Sequence, residues 1–570
     1  MGKPSHMSAE AQAAETPSRD GIKDTIESIV VALILAFVFR AFVVEAFVIP
    51  TGSMAPTLYG AHGMIVCEDC GTEFAYGLKD LKDSRSIALI GEEDQAVCPN
   101  CNRRNSARRV NDRRGNPESG DRILVFKWPY DLGIDALRPA RWDVVVFKDP
   151  ADGTTNFIKR LVGLPNEVLM ILDGDVYAVP LEDLSEEALA DLDQLRHEKY
   201  VFRTTGNGHR RLRDPNADTL AELDRKMTIP RKTPEAQEAL WFVVYDNDYP
   251  PQERDPDQPF WKADRRELSG WETSGRRIHF EARGTEQDYI ELKGKAVLAE
   301  YAYNIRQRYT PPPVADQRVR FVLTPRSIDG TLKIRLSKLD RTFWASIHTS
   351  GLMTLTESRD GRVASSPIAR SYQAAPFSVG ESVEISMENV DYRVALSVGN
   401  REVLATSDDP NGSAYYGPDI AALQRQRRPA PAFPPRIYGE SGTFDITHLV
   451  VERDVYYYHP QDVRALAILP WAPYSGWASP SSPMMLRSHE CFMLGDNTAA
   501  SKDGRLWDAW GPHLESRGEG FQLGTVPLDQ LIGKAFFVYW PSPGRIDWLQ
   551  WLPVVGGNVV PDVGRMRWIR

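Results

Sequence analysis

From Ser28 to Val44 the chain is apolar apart from Ser28 itself and Arg40, and counted back to Ile22 the run reaches the roughly twenty residues needed to cross a bilayer. Lys23, Asp24 and Glu27 would lie at one interface and Arg40 at the other, so the pattern predicts a membrane-spanning helix over 22–42 behind a polar tail, 1–21. A cleaved signal peptide and a buried core helix leave the same trace in sequence. Further on, Phe157 to Val162 is a short apolar run interrupted by Lys159 and Arg160, which predicts a strand. Leu181, Leu184, Ala188, Leu192 and Leu195 recur at helical spacing among acidic residues and predict a surface helix. From about residue 316 the period becomes two. Val383, Ile385 and Met387 alternate with polar residues, and Val394, Leu396 and Val398 lead through Gly399-Asn400 into Arg401 to Ala405, a predicted hairpin. Many short strands of this kind predict an antiparallel sandwich over 316–455, with 408–437 as a long Pro- and Arg-rich loop. Leu531 to Trp540 reads as one more strand, and the whole chain reads as mainly β after a single N-terminal helix.

Composition adds bounds. A chain of 570 residues holds three or so domains, and 42% hydrophobic with 26% charged residues is an ordinary globular balance. The net charge of -10 speaks against a nucleic-acid partner, since phosphate binding needs clustered cations. The basic run from Arg103-Arg104 to Arg113-Arg114 is local and reads as a solvated loop. Arg19 and Lys23 precede the apolar run, whereas after Arg40 no Lys or Arg occurs until Lys79. That asymmetry predicts a cytoplasmic N-terminus with the rest of the chain on the outer face of the membrane.

The candidate chemistry lies in Pro50-Thr51-Gly52-Ser53-Met54 and in Ile158-Lys159-Arg160. A serine hydroxyl needs a base to remove its proton, and none of the ten histidines lies in a motif that suggests a triad. A lysine can replace histidine when burial disfavours its ammonium form. Lys159, flanked by Phe157, Ile158, Leu161 and Val162, meets that demand, while an edge-strand lysine with its amine in water would show the same sequence. Gly52 would supply the backbone freedom that lets Ser53 project from a tight bend.

Gly52-Ser53-Met54, then Gly120-Asp121-Arg122-Ile123-Leu124-Val125, then Ile158-Lys159-Arg160, then Gly495-Asp496-Asn497 through Ser501-Lys502-Asp503-Gly504-Arg505, in this order after an anchor, resembles the type I signal peptidases. The resemblance covers residues 25–60, 118–178 and 490–545. It implies a β-rich catalytic core in which Ser53 attacks the scissile carbonyl and Lys159 is the general base. It further implies an oxyanion hole from the Ser53 N–H and the Thr51 hydroxyl, a Ser501 hydroxyl that orients the lysine, and a structural ion pair between Asp503 and Arg505. Gly504 departs from the family, which has serine there. No cofactor is implied for catalysis. Phe47, Ile49, Pro50, Met54 and Ile158 match the family's substrate-binding positions, where apolar walls admit small residues such as an Ala-x-Ala signal and exclude larger ones. The expected partners are secreted precursors bearing signal peptides and the lipid bilayer. Ser53 follows Arg40 by about a dozen residues, which keeps it within roughly 40 Å of the membrane.

Two insertions divide the expected core, 43–178 and 456–545. Within 62–117, Cys67-Glu68-Asp69-Cys70 is followed after 27 residues by Cys98-Pro99-Asn100-Cys101. Paired C-x-x-C knuckles predict a zinc ribbon with a closed four-thiolate structural site, and two disulfides remain the alternative in an oxidising location. Cys491 reads as a buried small hydrophobe. The second insertion comprises a helical and mixed region, 179–315, and the sandwich. By pattern alone the sandwich resembles the concanavalin-like jelly-roll class, which would leave it an unknown carbohydrate or protein ligand, or none. The tail, 546–570, carries Trp548, Leu549, Trp551, Leu552 and Trp568, residues that suit either a membrane interface or core packing. A second function class stays open: an outward-facing anchored binding protein with a vestigial peptidase core.

Overall fold

The computed structural model describes residues 20–77, 95–106, 120–127, 138–204, 213–252, 260–264, 268–284, 288–304, 311–359, 369–407, 409, 414–425, 432–458, 477–507, 509–517, 520–541 and 563–570. The expected tail 1–19, most of the basic run after Arg104, and Trp548 and Trp551 lie outside them. The apolar run forms one helix, α1 (Asp20–Phe42). Over Lys23–Phe42 its mean hydropathy is 2.1 and none of it is buried against the rest of the protein, which removes the core-helix reading. Twenty helical residues rise about 30 Å, the thickness of a hydrocarbon layer. The helix runs directly into the first strand, β1 (Val44–Val48), and Lys127 ties the junction by donating to Ala41 O and pairing with Glu45.

An eight-stranded antiparallel sheet holds the core. Its other strands are β2 (Arg122–Phe126), β3 (Val144–Lys148), β4 (Asn156–Gly163), β5 (Glu490–Leu494), β6 (Val526–Pro527), β7 (Leu531–Trp540) and β8 (Arg567–Trp568), in the order β1-β2-β7-β3-β4-β5-β6 with β8 on β7. The run Leu531–Trp540 therefore lies in the middle of the sheet. The sheet curls, and its concave side is filled by Ile49, Met54, Leu58, Ile123, Val125, Val144, Val146, Ala535 and Val538. Fully burying aliphatic side chains of this size contributes on the order of 2 kcal/mol each. The C-terminus returns to the sheet: Trp568 pairs with Phe537, and buried Ile569 joins the same core.

A hairpin of Glu167–Leu172 and Asp175–Pro180, extended by Met484–Leu486, separates the core from the insertion. It is apolar on both faces, as a layer buried on both sides must be. Leu169, Ile171 and Val176 pack on Val162, Phe492 and Leu494 of the core sheet, while Val168, Met170, Tyr177 and Val179 pack toward the insertion. The predicted surface helix is Glu186–Thr204, which buries Ala188, Leu192 and Leu195, with Leu184 just ahead of it.

The insertion is a sandwich of two antiparallel sheets, of eight and seven strands, with one hydrophobic core between them. Phe321, Ile385, Met387 and Leu396 of one sheet face Ile334, Phe343, Ile347 and Leu355 of the other. The Gly399-Asn400 turn joins Arg393–Val398 to Arg401–Ala405, with Gly399 at φ 57°. The sandwich begins well before residue 316. Phe242–Asp246, Trp271–Glu272 and Ile278–Glu281 belong to one sheet, and Phe260–Ala263 and Asp288–Lys293 to the other. These strands have two to six residues each, too few for alternation to register in sequence. The predicted loop 408–437 includes a short helix, Ile420–Arg425, whose Ile420 and Leu423 enter the sandwich core.

Candidate active site

Ser53 and Lys159 are 106 residues apart in sequence, and Oγ and Nζ lie 2.7 Å apart. Ser53 sits in a single 3-10 turn, Gly52–Met54, that follows β1, and Lys159 projects from β4. Three strands, β2, β7 and β3, lie between β1 and β4 in the sheet, yet the sheet curls far enough for the turn after β1 to meet β4. Both side chains are buried, Ser53 at 9% exposure and Lys159 at 5%. The amine also donates to Ile158 O at 2.9 Å and lies 5.7 Å from the Phe157 ring centre. Burial pushes the lysine down to about 8, against the opposing pull of Asp503, Asp496 and Asp149. At this value roughly a tenth of the amine is uncharged at pH 7 and about half at pH 8, and the lone pair of the uncharged form can accept the serine proton.

Alternation along β4 sends the next side chain to the opposite face. Arg160 is wholly buried there and grips Asp496 through Nε–Oδ1 and Nη2–Oδ2 contacts of 2.8 Å each. Its remaining donors reach Trp142 O at 2.7 Å and Arg570 O at 3.1 Å, and Thr57 donates to Asp496 at 2.5 Å. Asp503 and Arg505 form a second bidentate pair, at 2.9 and 2.7 Å, also wholly buried. Arg505 further donates to Tyr458 O and Thr498 O, and Asp503 accepts from Gly495 N. Of the three carboxylates that pull on Lys159, Asp496 and Asp503 are thus committed to a guanidinium, and Lys159 makes no hydrogen bond or ion pair to a carboxylate among the described residues.

The other expected residues fall around this pair. Thr51 is exposed at the start of the turn, and its side chain does not cap it. Ile49 and Met54 are buried in the core, Pro50 is exposed, and Phe47 and Ile158 are half-buried against one cluster. Ser501 is wholly buried, yet its Oγ has no hydrogen-bond partner among the described residues. The second hydrogen bond of the amine goes to Ile158 O. Ser501 follows the turn Thr498–Ala500, and its hydroxyl is turned against Gly495, where a Cβ would fall 2.2 Å from it. Gly504 is close-packed: a Cβ would lie 2.7 Å from the Phe492 ring and 2.8 Å from Gly524 O, so a serine does not fit without a shift. Gly52 does not adopt a positive φ. Glycine is required there because a Cβ would stand 2.1 Å from the Tyr303 ring.

Arg160, Asp496, Asn497, Tyr303 and Asn304 carry the site's geometry without having been assigned roles from sequence. Arg160 and Asp496 did carry a signal, as a strand cation next to the candidate lysine and an acidic residue in the Gly495 block. β4 pairs with β3 along 156–160 but with β5 only along 160–163, so residues 156–159 have no strand partner on the β5 side among the described residues. Among the described residues β1 likewise pairs only with β2.

The four cysteines converge. Two hairpins, His62–Val66 with Glu73–Gly77 and Gln95–Val97 with Arg104–Ser106, carry the knuckles at their tips. Cys67 N and Cys98 N donate to Thr72 O and Arg103 O, and the turns place Gly71 and Asn102 at φ 79° and 61°. Sγ atoms of Cys67 and Cys101 are 3.5 Å apart and those of Cys70 and Cys98 3.7 Å, with all four within 4.8 Å of one another. The thiols are unbonded to each other, and their spacing matches the roughly 3.8 Å edge of a tetrahedron with 2.3 Å metal–sulfur bonds. These cysteines can hold a metal ion. Cys491 is buried in the core sheet.

Comparison with known proteins agrees with this geometry. The family described as "Signal peptidase, peptidase S26" matches residues 22–95, 107–233 and 466–540. Signal peptidase I of Rickettsia bellii is 25% identical over 151 residues, 26% of this chain and 37% of that protein. The Pseudomonas fluorescens enzyme of the same name is 26% identical over 157 residues, covering 28% and 37%. The Rickettsia typhi one is 25% identical, covering 28% and 45%. The chain therefore spans less than half the length of these relatives. Among solved structures, a carbohydrate binding module from Bacillus subtilis is 11% identical, covering 34% of this chain and 92% of its own at a TM-score of 0.19. The β-glucanase of Bacillus licheniformis is 4% identical, covering 37% and 97% at 0.23, and neither likeness says what the insertion binds. The matched stretches contain most of α1, the Ser53 turn, the Lys159 strand and the Asp503–Arg505 pair, so the chain is similar to the signal peptidase family, peptidase S26, in the segments that build the site.

Proposed function

We propose that this protein is a membrane-anchored serine endopeptidase that removes signal peptides from exported precursors with Ser53 as nucleophile and Lys159 as base. The observation that carries the reading is the 2.7 Å approach of a buried amine, lowered to about 8, to a serine hydroxyl, with no carboxylate in contact with that amine among the described residues. In the acylation step the Ser53 hydroxyl donates its proton to Lys159 while Oγ attacks the scissile carbonyl. The Ser53 N–H and the Thr51 hydroxyl would stabilise the oxyanion, a contribution worth about a hundredfold or more for one donor. Protonated Lys159 then gives its proton to the departing amine, and the regenerated base activates the water that hydrolyses the acyl-enzyme. The hydrogen bond to Ile158 O occupies one N–H and directs the lone pair at Ser53.

The unpaired side of 156–159 and the free side of β1 would bind an extended precursor by backbone hydrogen bonds. Half-buried Phe47 and Ile158 would wall the pockets so that small residues, as in Ala-x-Ala, are accepted before the cut. The exposed apolar α1 would anchor the enzyme, with the N-terminus cytoplasmic and the catalytic core on the outer face. Cys67, Cys70, Cys98 and Cys101 would hold a structural zinc ion, a closed site that adds stability and takes no part in proton transfer.

The test incubates detergent-solubilised protein with a precursor bearing an Ala-x-Ala site. Ser53→Ala and Lys159→Ala are each expected to lower turnover by several orders of magnitude while folding is retained. Wild-type cleavage by Lys159→Ala would remove the lysine from the mechanism.

A further inference from the structure

Tyr303 and Asn304 lie outside all three stretches matched by the family, yet they touch the nucleophile turn. The Tyr303 ring is 5% exposed and is wedged between two glycines. A Cβ on Gly52 would fall 2.1 Å from the ring and one on Gly77 2.3 Å. The phenol donates to Ala61 O at 3.2 Å, and Gly77 N donates to Tyr303 O at 2.8 Å. The ring therefore bears on the residue preceding Ser53 from one side and on the first cysteine hairpin from the other.

Asn304 completes the contact. It exchanges two amide hydrogen bonds with Asn497, Asn304 Nδ2 to Asn497 Oδ1 at 2.7 Å and the reverse at 2.9 Å. Asn497 in turn donates its Nδ2 to Gly52 O and its backbone N to Ser53 O, both at 3.1 Å. The Gly52 carbonyl fixes which end of the Asn497 amide is nitrogen, so the amide orientation is determined by the contact itself. On its other side this segment is held by the sandwich, where Arg453 donates to Glu300 O at 2.7 Å and Tyr458 to Ala299 O at 2.6 Å.

We infer that Tyr303 and Asn304 are positioning residues, supplied by the insertion, that lock the backbone on either side of Ser53. The inference rests on the reading of Ser53 and Lys159 as the catalytic pair. Without Asn304, Asn497 keeps its place in sequence but loses the partner that holds its amide toward Gly52 O, and the turn can tilt Oγ away from Nζ. Neither residue touches the substrate path along 156–159, so the effect falls on the chemical step and leaves binding alone.

The test measures kcat and KM for an Ala-x-Ala precursor in full-length wild type, Asn304→Ala and Asn304→Asp, with kcat normalised to the folded fraction from near-ultraviolet circular dichroism. Asn304→Asp preserves shape and the accepting oxygen while losing the donor to Asn497. Normalised kcat is expected to fall about tenfold in Asn304→Ala and in Asn304→Asp, with KM within about twofold of wild type. Normalised kcat within about twofold of wild type in both variants, or a change confined to KM, overturns the inference. Ser53→Ala and Lys159→Ala run in parallel keep the two readings apart: full turnover in either would defeat the catalytic pair itself, whatever Asn304 does.

Discussion

Arg160 holds Asp496 through two contacts of 2.8 Å, so that a carboxylate whose charge pulls on the adjacent Lys159 is committed to a guanidinium. The two cations occupy successive positions of one strand and meet opposite electrostatic conditions. One is paired and always charged, and the other is desolvated and pushed down to about 8.

Cleavage should follow that lysine. kcat/KM for an Ala-x-Ala precursor is expected to rise as pH increases through about 8 and then level, because the free base is the active form. A profile flat from pH 6 to 10 would disconnect Lys159 from the rate.

The same amine makes a prediction about stability. Its folded value lies below that of a lysine in the unfolded chain, 10.5, so between about 8 and 10.5 the unfolded state binds the extra proton and stability rises with pH. Below about 8 the cost of the buried amine is fully present, at most about 3 kcal/mol. Lys159→Met is therefore expected to be more stable than wild type at pH 7, with the gain shrinking toward pH 10. Chemical denaturation across that range checks the slope.

Breaking the neighbouring pair should act in the other direction. Asp496→Asn leaves a wholly buried guanidinium without its counter-charge and is expected to cost about 3–5 kcal/mol. Denaturant midpoints of wild type and variant at pH 8 measure it, and a difference under 1 kcal/mol would contradict the burial argument.

Gly52→Ala sets a methyl group against the Tyr303 ring. The variant is expected to lose at least about tenfold in kcat, and the second substitution Tyr303→Ala to recover part of that loss by opening the space. Strict additivity of the two losses would show that the ring and Gly52 do not share the contact.

Metal analysis addresses the cysteines. About one equivalent of zinc per chain is expected in the purified protein, lost in Cys98→Ser together with thermal stability. Less than half an equivalent would count against a four-thiolate site.

Much of this was legible in sequence because it is local. A long apolar run reveals α1, paired C-x-x-C spacing reveals the cysteine hairpins, and an apolar run around Lys159 reveals a strand. The short strands between Phe242 and Lys293 were not legible, since alternation over a few residues is indistinguishable from chance. Ser501 is a case that sequence leaves open: its motif suggests that it orients the lysine, and in the structure its hydroxyl lies close to Gly495 with no hydrogen-bond partner among the described residues.

By itself the sequence determined which groups could do chemistry, Ser53 and Lys159, and which segments would be helix, strand or knuckle. Only the tertiary structure decided that the sheet curls far enough to bring those two groups to 2.7 Å, that Asp496 belongs to Arg160, and that Tyr303 and Asn304 press on the nucleophile turn. The physical reason is that periodicity records which side of an element is buried, whereas the partner it is buried against is set by closure between segments hundreds of residues apart.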